Sequence, residues 1–259
     1  MSTHFHQKER GGVASPAPSP HPELSRMEGR YIVPWGRREV ACVLGSATVL
    51  TLGIVILAVL HAAIWALLLL PVLLLAAFLV LFFRNPRRAV PLGPGLLVSP
   101  ADGTVQDIVR VEEAEFLAEP AIRIGIFLSI FDVHVNRAPA RGRVEWVRHQ
   151  DGLHRDARNP RAGCENESNA IGILRDDEGG PGGLRLLVKQ ISGAIARRII
   201  CPLAPGDRVE RGALMGMIKY GSRTELYVPV SSGAEVQIET GQKVQGGVTI
   251  LARWPAAGP

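Results

Sequence analysis

The longest apolar stretch of the sequence covers residues 40–83, where 44 consecutive positions carry no Asp, Glu, Lys or Arg. A single helix of that length would span about 66 Å at ~1.5 Å per residue, roughly twice the ~30 Å hydrocarbon core of a bilayer. Two helices near residues 40–60 and 64–83, joined by a tight turn around 61–63, match that thickness better. The pattern therefore predicts a two-helix transmembrane hairpin.

After residue 84 the pattern changes to short runs in which apolar and polar positions alternate between Gly, Pro and Asp residues. Alternation with period two and a high content of β-branched residues predict strands. The clearest runs cover residues 103–109, 121–128, 183–188 and 223–228. One segment predicts a short helix instead, because Ile191, Ile195 and Ile199 recur four residues apart. We therefore expect a mainly β (α+β) fold built on an antiparallel β domain.

Composition divides the chain of 259 residues into three parts. Residues 1–39 begin with a segment rich in Pro, Ser, His and Gly, which predicts a disordered N-terminal tail. Residues 40–83 form the membrane hairpin, and residues 84–259 form the β domain. Within that domain, segments 101–105 and 241–247 resemble the two ends of a biotinyl- or lipoyl-type barrel, so barrel-sandwich-like parts are expected. No carrier lysine in a Met-Lys-Met or Asp-Lys-Ala context lies between them.

The distribution of charged residues predicts the orientation of the hairpin in the membrane and narrows the classes of binding partner. Arginines 37 and 38 precede the apolar run and arginines 84, 87 and 88 follow it, so the positive-inside rule places both ends in the cytoplasm and the anchor in the cell (inner) membrane. The net charge of +5 suits either anionic lipid headgroups or general solubility. Nucleic-acid binding is disfavoured, because the basic residues are scattered without interleaved aromatic residues.

Cysteine content argues against a disulfide framework and against a metal site. The chain has three cysteines, Cys42, Cys164 and Cys201, an odd number without metal-ligand spacing. This usage is typical of a reducing compartment. We therefore expect no metal ion in the functional site.

Three segments of the β region carry residues typical of chemistry. Residues 99–103 read Ser-Pro-Ala-Asp-Gly, residues 133–137 read Val-His-Val-Asn-Arg, and residues 219–223 read Lys-Tyr-Gly-Ser-Arg. Together, and in this order, they resemble the phosphatidylserine decarboxylase proenzyme family in its short, pyruvoyl-dependent form. The resemblance extends from about residue 83 to residue 252.

The resemblance implies that the precursor cuts itself between Gly221 and Ser222. Decarboxylation of an α-amino acid needs an electron sink that no ordinary side chain supplies, and the family makes one by converting such a serine to a pyruvoyl group. Ser222 would thus be both nucleophile and cofactor precursor, and the cut would leave associated chains of 221 and 38 residues. The implied reaction converts phosphatidylserine in the membrane to phosphatidylethanolamine and carbon dioxide.

A serine hydroxyl needs a base to act as nucleophile at neutral pH. The resemblance assigns that role to His134, and Asp102 would orient its imidazole. Alternatively, His134 is a buried strand histidine bonded to backbone, and Asp102 is a turn residue that bonds its own backbone. The remaining histidines of this region, His149 and His154, are interpreted as exposed loop residues, with substrate contact as the alternative.

The sequence also departs from the family pattern. Residues 165–170 match Glu-Asn-Glu-Arg-Asn-Ala except that Ser168 replaces the arginine, which weakens a headgroup contact there. Lys189 lies in a matching stretch and could pair with a phosphodiester, or it belongs to a solvated basic edge. Long-type relatives carry a second histidine where this chain has Phe131, so a different residue would protonate the product here.

Two other functions remain open at the level of sequence. A non-enzymatic membrane-anchored adaptor with a biotinyl-like β domain would explain the hairpin and the glycine-rich turns. It would not explain why Ser222, His134 and Asp102 coincide with the motifs of one family. A decarboxylase of another serine-headed lipid, such as an ether lipid, would use the same chemistry.

Overall fold

The fold is given by a computed structural model that describes residues 24, 27, 30–61, 63–159, 161–176, 183–194, 198–219 and 222–254. Residues 1–23 of the predicted tail, and Gly221, lie outside the described residues. The α-helices are Arg37–Leu60, Leu69–Phe82 and Ala162–Glu165, with 3-10 turns at Pro34–Gly36, Ala63–Leu68 and Val230–Ser232. The strands of the described part are β1 Leu96–Val98, β2 Gly103–Glu113, β3 Glu119–Leu128, β4 Val135–Arg137, β5 Gly142–Gln150, β6 Ser168–Arg175, β7 Arg185–Ser192, β8 Arg198–Ile200, β9 Arg208–Val209, β10 Leu214–Lys219, β11 Ser222–Pro229, β12 Glu235–Val236, β13 Lys243–Val244 and β14 Ile250–Arg253.

The apolar run folds into two helices that pack against each other. The candidate membrane spans are Pro34–Leu60, with 27 residues and a mean hydropathy of 2.5, and Ala63–Phe82, with 20 residues and a mean hydropathy of 2.9. Most of their apolar side chains are exposed, and only 6% of the most apolar window of each span is buried. Exposed leucines and valines are costly in water and favourable in lipid, so the pair is consistent with a membrane anchor.

The β region is dominated by one curled sheet of eight strands in the order β13-β2-β3-β11-β7-β6-β5-β9. Its neighbouring strands are all antiparallel. Three of the predicted strand segments lie within β2, β3 and β11, and the fourth, 183–188, overlaps β7, which begins at Arg185. The predicted mainly β fold is therefore confirmed, and β11 lies near the middle of the sheet.

Two three-stranded sheets complete the region, in the orders β4-β10-β8 and β1-β14-β12. The two segments that resembled barrel ends meet, because Lys243 and Val244 of β13 pair with Thr104 and Gly103 of β2. Gly103 has a φ of 156° and a Cβ there would lie 2.2 Å from the Phe127 carbonyl oxygen. Only glycine fits this position. It is the glycine of the Ala-Asp-Gly sequence at residues 101–103.

The helix predicted from Ile191, Ile195 and Ile199 is wrong. Strand β7 continues to Ser192 and strand β8 begins at Arg198, while residues 195–197 lie outside the described residues. A spacing of four is an even number, so it also places side chains on one face of a strand, where the period is two. Ile191 pairs with both Ser168 and Arg223 in the middle of the large sheet.

The base of the hairpin shares a core with the β region. The first apolar helix begins at Arg37, three residues before the predicted start, and the Val33 amide donates to the Phe83 carbonyl at 3.1 Å. Val33, Phe82 and Phe83 are at most 1% exposed. The boundary near residue 84 stays a prediction, and apolar contacts cross it.

Candidate active site

Ser222 begins β11, and its side chain is fully buried. It pairs with Leu128 of β3 on one side and with Ser192 of β7 on the other. Strand β10 of a different sheet ends at Lys219, so the predicted cleavage segment connects two sheets. Within the described part of the chain, the Ser222 hydroxyl has no hydrogen-bond partner. A buried and unpaired hydroxyl is unusual, because it costs about 1–3 kcal/mol, and such groups concentrate at functional sites.

His134 lies just before β4 and is also fully buried. Its Nδ1 is 2.9 Å from the Asp132 carbonyl oxygen. A carbonyl can only accept, so Nδ1 carries the proton and Nε2 is left with a lone pair. Burial lowers the pKa of His134 to about 4, against a weaker opposing effect of the Asp132 contacts. The imidazole is therefore neutral at pH 7 and able to take a proton.

The apolar hairpin contributes to the burial of His134. The ring of Phe82, the last residue of the second apolar helix, has its centroid 4.2 Å from that of the imidazole. The His134 carbonyl accepts from the Ile218 amide at 3.2 Å. The candidate base is thus held between the hairpin and the strand that leads to the cleavage segment.

Asp102 is held by two hydrogen bonds in the described part of the chain. Its Oδ2 accepts from Arg88 Nη2 at 2.7 Å, and its Oδ1 accepts from the Gly246 amide at 2.7 Å. The hydrogen bond that orients the His134 imidazole goes from Nδ1 to the backbone carbonyl of Asp132. No sequence signal could reveal this, because a backbone carbonyl can come from any residue type. The orienting role of Asp102 stays a prediction.

No hydrogen bond joins the Ser222 hydroxyl to His134 among the described residues. The two are connected through the fold, since Leu128, the register partner of Ser222, lies six residues before His134. Catalytic hydrogen bonds are often absent from a resting structure and form only when the reacting groups align. The assignment of His134 as base therefore stays a prediction with supporting geometry.

A chain of buried amides lies beside Ser222 on the same face of the sheet. Asn136 donates to the Thr224 hydroxyl at 2.9 Å, and Gln190 donates to Asn136 Oδ1 at 2.9 Å. Asn169 in turn donates to Gln190 Oε1 at 3.0 Å. These groups satisfy one another without charge, so the face that holds the nucleophile is polar but neutral.

The opposite face of β11 carries a buried ion cluster. The Arg223 guanidinium donates to Glu225 at 2.7 Å, to Gln106 at 2.8 Å and to Asp107 at 2.6 Å. The Tyr227 hydroxyl donates to Glu225 at 2.6 Å, and burial and the nearby carboxylate raise the pKa of Tyr227. Sequence reasoning missed this cluster, although the i, i+2 spacing of Arg223, Glu225 and Tyr227 marks one face of a strand.

The Arg223 guanidinium packs directly over Gly125. A Cβ on Gly125 of β3 would lie 2.0 Å from the guanidinium. Arg123, two residues earlier, reaches Asp107 at 3.2 Å and Glu225 at 3.7 Å. Two arginines therefore balance two carboxylates on this face.

The residue that precedes the cleavage segment is bound to the hairpin. Lys219 Nζ donates to the Trp35 carbonyl at 3.1 Å, forms an ion pair with Glu39, and lies 5.6 Å from the ring centroid of Phe83. Lys219 is 5% exposed. A lysine this deeply buried needs such partners.

The other residues considered for the site from the sequence, His149, His154, Lys189 and Ser168, lie in different surroundings. His149 lies on β5 and not in a loop, and its side chain is half-exposed. His154 is in a loop, as predicted, but its Nδ1 lies 3.2 Å from the Ser192 hydroxyl. Lys189 donates to the Gly163 carbonyl at 2.8 Å, and Ser168 is buried at the start of β6.

No group of three or more His, Cys, Asp or Glu side chains that could hold a metal occurs among the described residues.

The sequence of this chain matches a known protein family. The family model described as phosphatidylserine decarboxylase matches residues 75–252. The chain belongs to the phosphatidylserine decarboxylase family. The family match begins inside the second apolar helix, so the base of the hairpin is part of the region this family shares.

Three relatives, each named phosphatidylserine decarboxylase proenzyme, match over most of their length. The relative from Carboxydothermus hydrogenoformans is 48% identical over 182 residues, which cover 70% of this chain and 82% of the relative. Relatives from Rhodopirellula baltica and Symbiobacterium thermophilum are 41% identical over 212 and 181 residues. The first of these alignments covers 82% of this chain and 86% of the relative, and the second covers 70% and 81%.

Proposed function

We propose that this chain is a phosphatidylserine decarboxylase proenzyme that cuts itself between Gly221 and Ser222 and then converts phosphatidylserine to phosphatidylethanolamine and carbon dioxide. The relatives carry this name, and they match this chain over about four fifths or more of their length. The observation that carries the cleavage site is the buried, unpaired hydroxyl of Ser222 at the start of a central strand. A hydroxyl without a partner keeps both lone pairs available for attack.

The self-cleavage begins with attack of Ser222 Oγ on the Gly221 carbonyl, while His134 Nε2 accepts the hydroxyl proton. The peptide bond becomes an ester, with the carbon–nitrogen bond broken and the carbon–oxygen bond formed. Loss of the Ser222 Cα proton and rupture of its Cβ–O bond release Gly221 as a carboxylate. Water then replaces the nitrogen as ammonia, which leaves a pyruvoyl group. His134 can act as base because it is neutral at pH 7.

The surroundings of Ser222 fit such a group. The neighbouring side chains on its face are apolar or neutral amides and hydroxyls, and Ser222 is fully buried. A pyruvoyl group carries no charge, so burying it at this position does not incur the desolvation cost of a buried charge. When present, it would supply the electron sink that decarboxylation of an amino acid requires.

The two chains would stay together after the cut. The small chain, residues 222–259, begins with β11, which is hydrogen-bonded to β3 and β7 of the large chain along its length. Strands β13 and β14 add pairings to β2 and β1. Separation would break several strand ladders at once and expose the core.

As a membrane anchor, the hairpin would hold the site near the bilayer that contains the lipid substrate. Basic residues flank both ends of the apolar run, which favours a cytoplasmic position for the β domain at the cell (inner) membrane. Phe82 and Phe83 end the second helix and contact the candidate site directly. A lipid headgroup at the bilayer surface would therefore be close to Ser222.

The test compares wild type with Ser222→Ala in the full chain, purified in detergent. Wild type should give two chains and release labelled carbon dioxide from carboxyl-labelled phosphatidylserine. Ser222→Ala should stay one chain and release none, whereas Ser231→Ala, the same change at an exposed serine nine residues later, should behave as wild type. Cleavage without decarboxylation of phosphatidylserine, but with activity on an ether-linked serine lipid, would change the substrate and keep the chemistry. An uncut, inactive wild type would overturn the proposal.

A further inference from the structure

Decarboxylation leaves a carbon that must receive a proton, and the position of the family's second histidine offers none here. Phe131 occupies that position, is 69% exposed, and packs edge-on against Phe78 of the second apolar helix with ring centroids 5.6 Å apart. A phenyl ring has no exchangeable proton. Another group of this chain must act as the acid if the proposed function holds.

Ser192 is the polar side chain nearest to Ser222 by strand register. The two residues are direct partners across β7 and β11, and both are fully buried. Side chains of directly opposed antiparallel residues lie on the same face with Cβ atoms about 4.5–5.5 Å apart. The Ser192 backbone is fixed, because its amide donates to the Glu167 carbonyl at 2.9 Å and its carbonyl accepts from Asn166 Nδ2 at 2.7 Å. Its hydroxyl is therefore held beside the reacting end of β11.

His154 connects Ser192 to solvent. Its Nδ1 lies 3.2 Å from the Ser192 hydroxyl and 3.9 Å from Glu167 Oε2, and its side chain is 37% exposed. An imidazole in this position can donate to the serine on one side and exchange protons with water on the other.

Other titratable groups near β11 are occupied or face the wrong way. His134 is buried, neutral and hydrogen-bonded to Asp132. Lys189 donates to the Gly163 carbonyl, and Tyr227 donates to Glu225 on the opposite face of the strand. Among the histidines that the structure describes, His154 alone has both a solvent-exposed ring and a contact to the partner of Ser222.

We infer that His154 and Ser192 together deliver the proton that replaces carbon dioxide on the substrate carbon. The carbon uses the electron pair left by the broken carbon–carbon bond to take the proton of the Ser192 hydroxyl. Ser192 takes a proton from His154 Nδ1 at the same time, so its hydroxyl is restored. His154 Nε2 takes a proton from solvent as the Nδ1 proton leaves, and proton exchange with water then returns the ring to its starting tautomer. The inference rests on the proposed function and assigns the acid of that reaction.

The experiment uses full-length His154→Gln and Ser192→Ala, with His149→Gln as matched control. His149 is half-exposed and lies 3.8 Å from Glu167, yet has no contact with Ser192 among the described residues. Three quantities are measured: the rate of precursor cleavage, the turnover of phosphatidylserine per cleaved chain, and the small-chain N-terminus by mass. A proton misplaced onto the chain's own N-terminal group would leave alanine there and stop turnover.

The expected result is a split between maturation and turnover. His154→Gln and Ser192→Ala should mature at the wild-type rate, lose roughly 10²-fold in turnover, and accumulate N-terminal alanine during turnover. Added imidazole should restore part of the activity of His154→Gln, because that site is open to solvent. His149→Gln should match wild type in all three quantities.

Three results would overturn the inference. Equal turnover in His154→Gln and wild type would exclude His154 as the acid. Equal losses in His154→Gln and His149→Gln would point to a general electrostatic effect of Glu167. Slowed cleavage together with a lowered unfolding midpoint in His154→Gln would assign a structural role. A wild type that neither matures nor decarboxylates would instead contradict the proposed function itself.

Discussion

The two sides of the predicted cleavage point are held in different ways. Upstream, Lys219 binds the hairpin through the Trp35 carbonyl and Glu39. Downstream, Arg223 is fixed by three side chains of the large sheet, two of them carboxylates. The upstream side is thus attached to the apolar hairpin, and the downstream side is attached to the β domain.

This difference assigns a separate task to each side. In the proposed reaction the residue after the cut would carry the reactive group for the life of the enzyme, so it would need a fixed position, and a multiply bonded arginine beside it gives one. The residues before the cut would only have to present the Gly221 carbonyl once. A single lysine, with its flexible stem, is sufficient for that purpose.

The largest effect is expected from Arg223→Met. Removing this cation leaves Glu225, which is 1% exposed, and Asp107 with Arg123 as their one remaining cationic partner among the described residues. Breaking a buried ion pair by removing one partner costs about 3–5 kcal/mol, so the unfolding midpoint of the full chain should fall by roughly 10 °C. Arg253→Met, at an exposed position of β14, is the control. Equal midpoints for the two variants would show that the downstream side is not held by charge.

A smaller effect, on chemistry alone, is expected from His134→Gln. The variant should cleave roughly 10²-fold more slowly, because glutamine fills a similar volume but cannot accept a proton at neutral pH. The time course of chain separation on a denaturing gel measures this rate. His149→Gln should cleave normally, and equal rates for the two variants would remove His134 as the base.

On the upstream side, Lys219→Met should slow cleavage by about tenfold and leave the fold intact. Methionine keeps the apolar stem but loses the contacts to the Trp35 carbonyl and Glu39, and a misplacement of the reacting carbonyl costs rate before it costs stability. Glu39→Gln should shift the rate in the same direction, with Glu235→Gln, an exposed position, as the control. Wild-type cleavage in Lys219→Met would mean that the hairpin does not position the cleavage segment.

The smallest effect is expected from a change of pH on the rate of self-cleavage. The pKa of His134 is lowered to about 4, and the base must be neutral to act, so cleavage should proceed at nearly full rate above that value. The rate should therefore change less than about twofold between pH 7 and pH 5.5. An ordinary histidine would lose most of its base form over that range. A half-maximal cleavage rate near pH 6.5 would show that the imidazole is not buried in the reacting precursor.

Local pattern was sufficient to predict most of the fold. Alternation over residues 103–109 and 121–128 predicted strands that the structure contains, and the charge-free run predicted two helices. The failure at residues 191–199 has a physical origin, because a four-residue spacing fits a strand as well as a helix. Tertiary pairing to β6 and β11 decides the conformation there.

The site was predictable only in part. Motif order pointed to Ser222, and the structure shows it buried with an unpaired hydroxyl. The partners of His134 and Asp102 could not be predicted, since they include the Asp132 carbonyl and the Gly246 amide, which carry no side-chain signal. The contact between Phe82 and His134 was also missed, because hydropathy assigns Phe82 to the membrane and is silent about its neighbours.

Intact mass of the purified protein under denaturing conditions tests the central claim most directly. The account predicts two species, residues 1–221 and a blocked chain of 38 residues that begins with a pyruvoyl group in place of Ser222. The Ser222→Ala protein should give one species. A single 27.9 kDa chain in active wild-type enzyme, or a cut at any other peptide bond, would contradict the account.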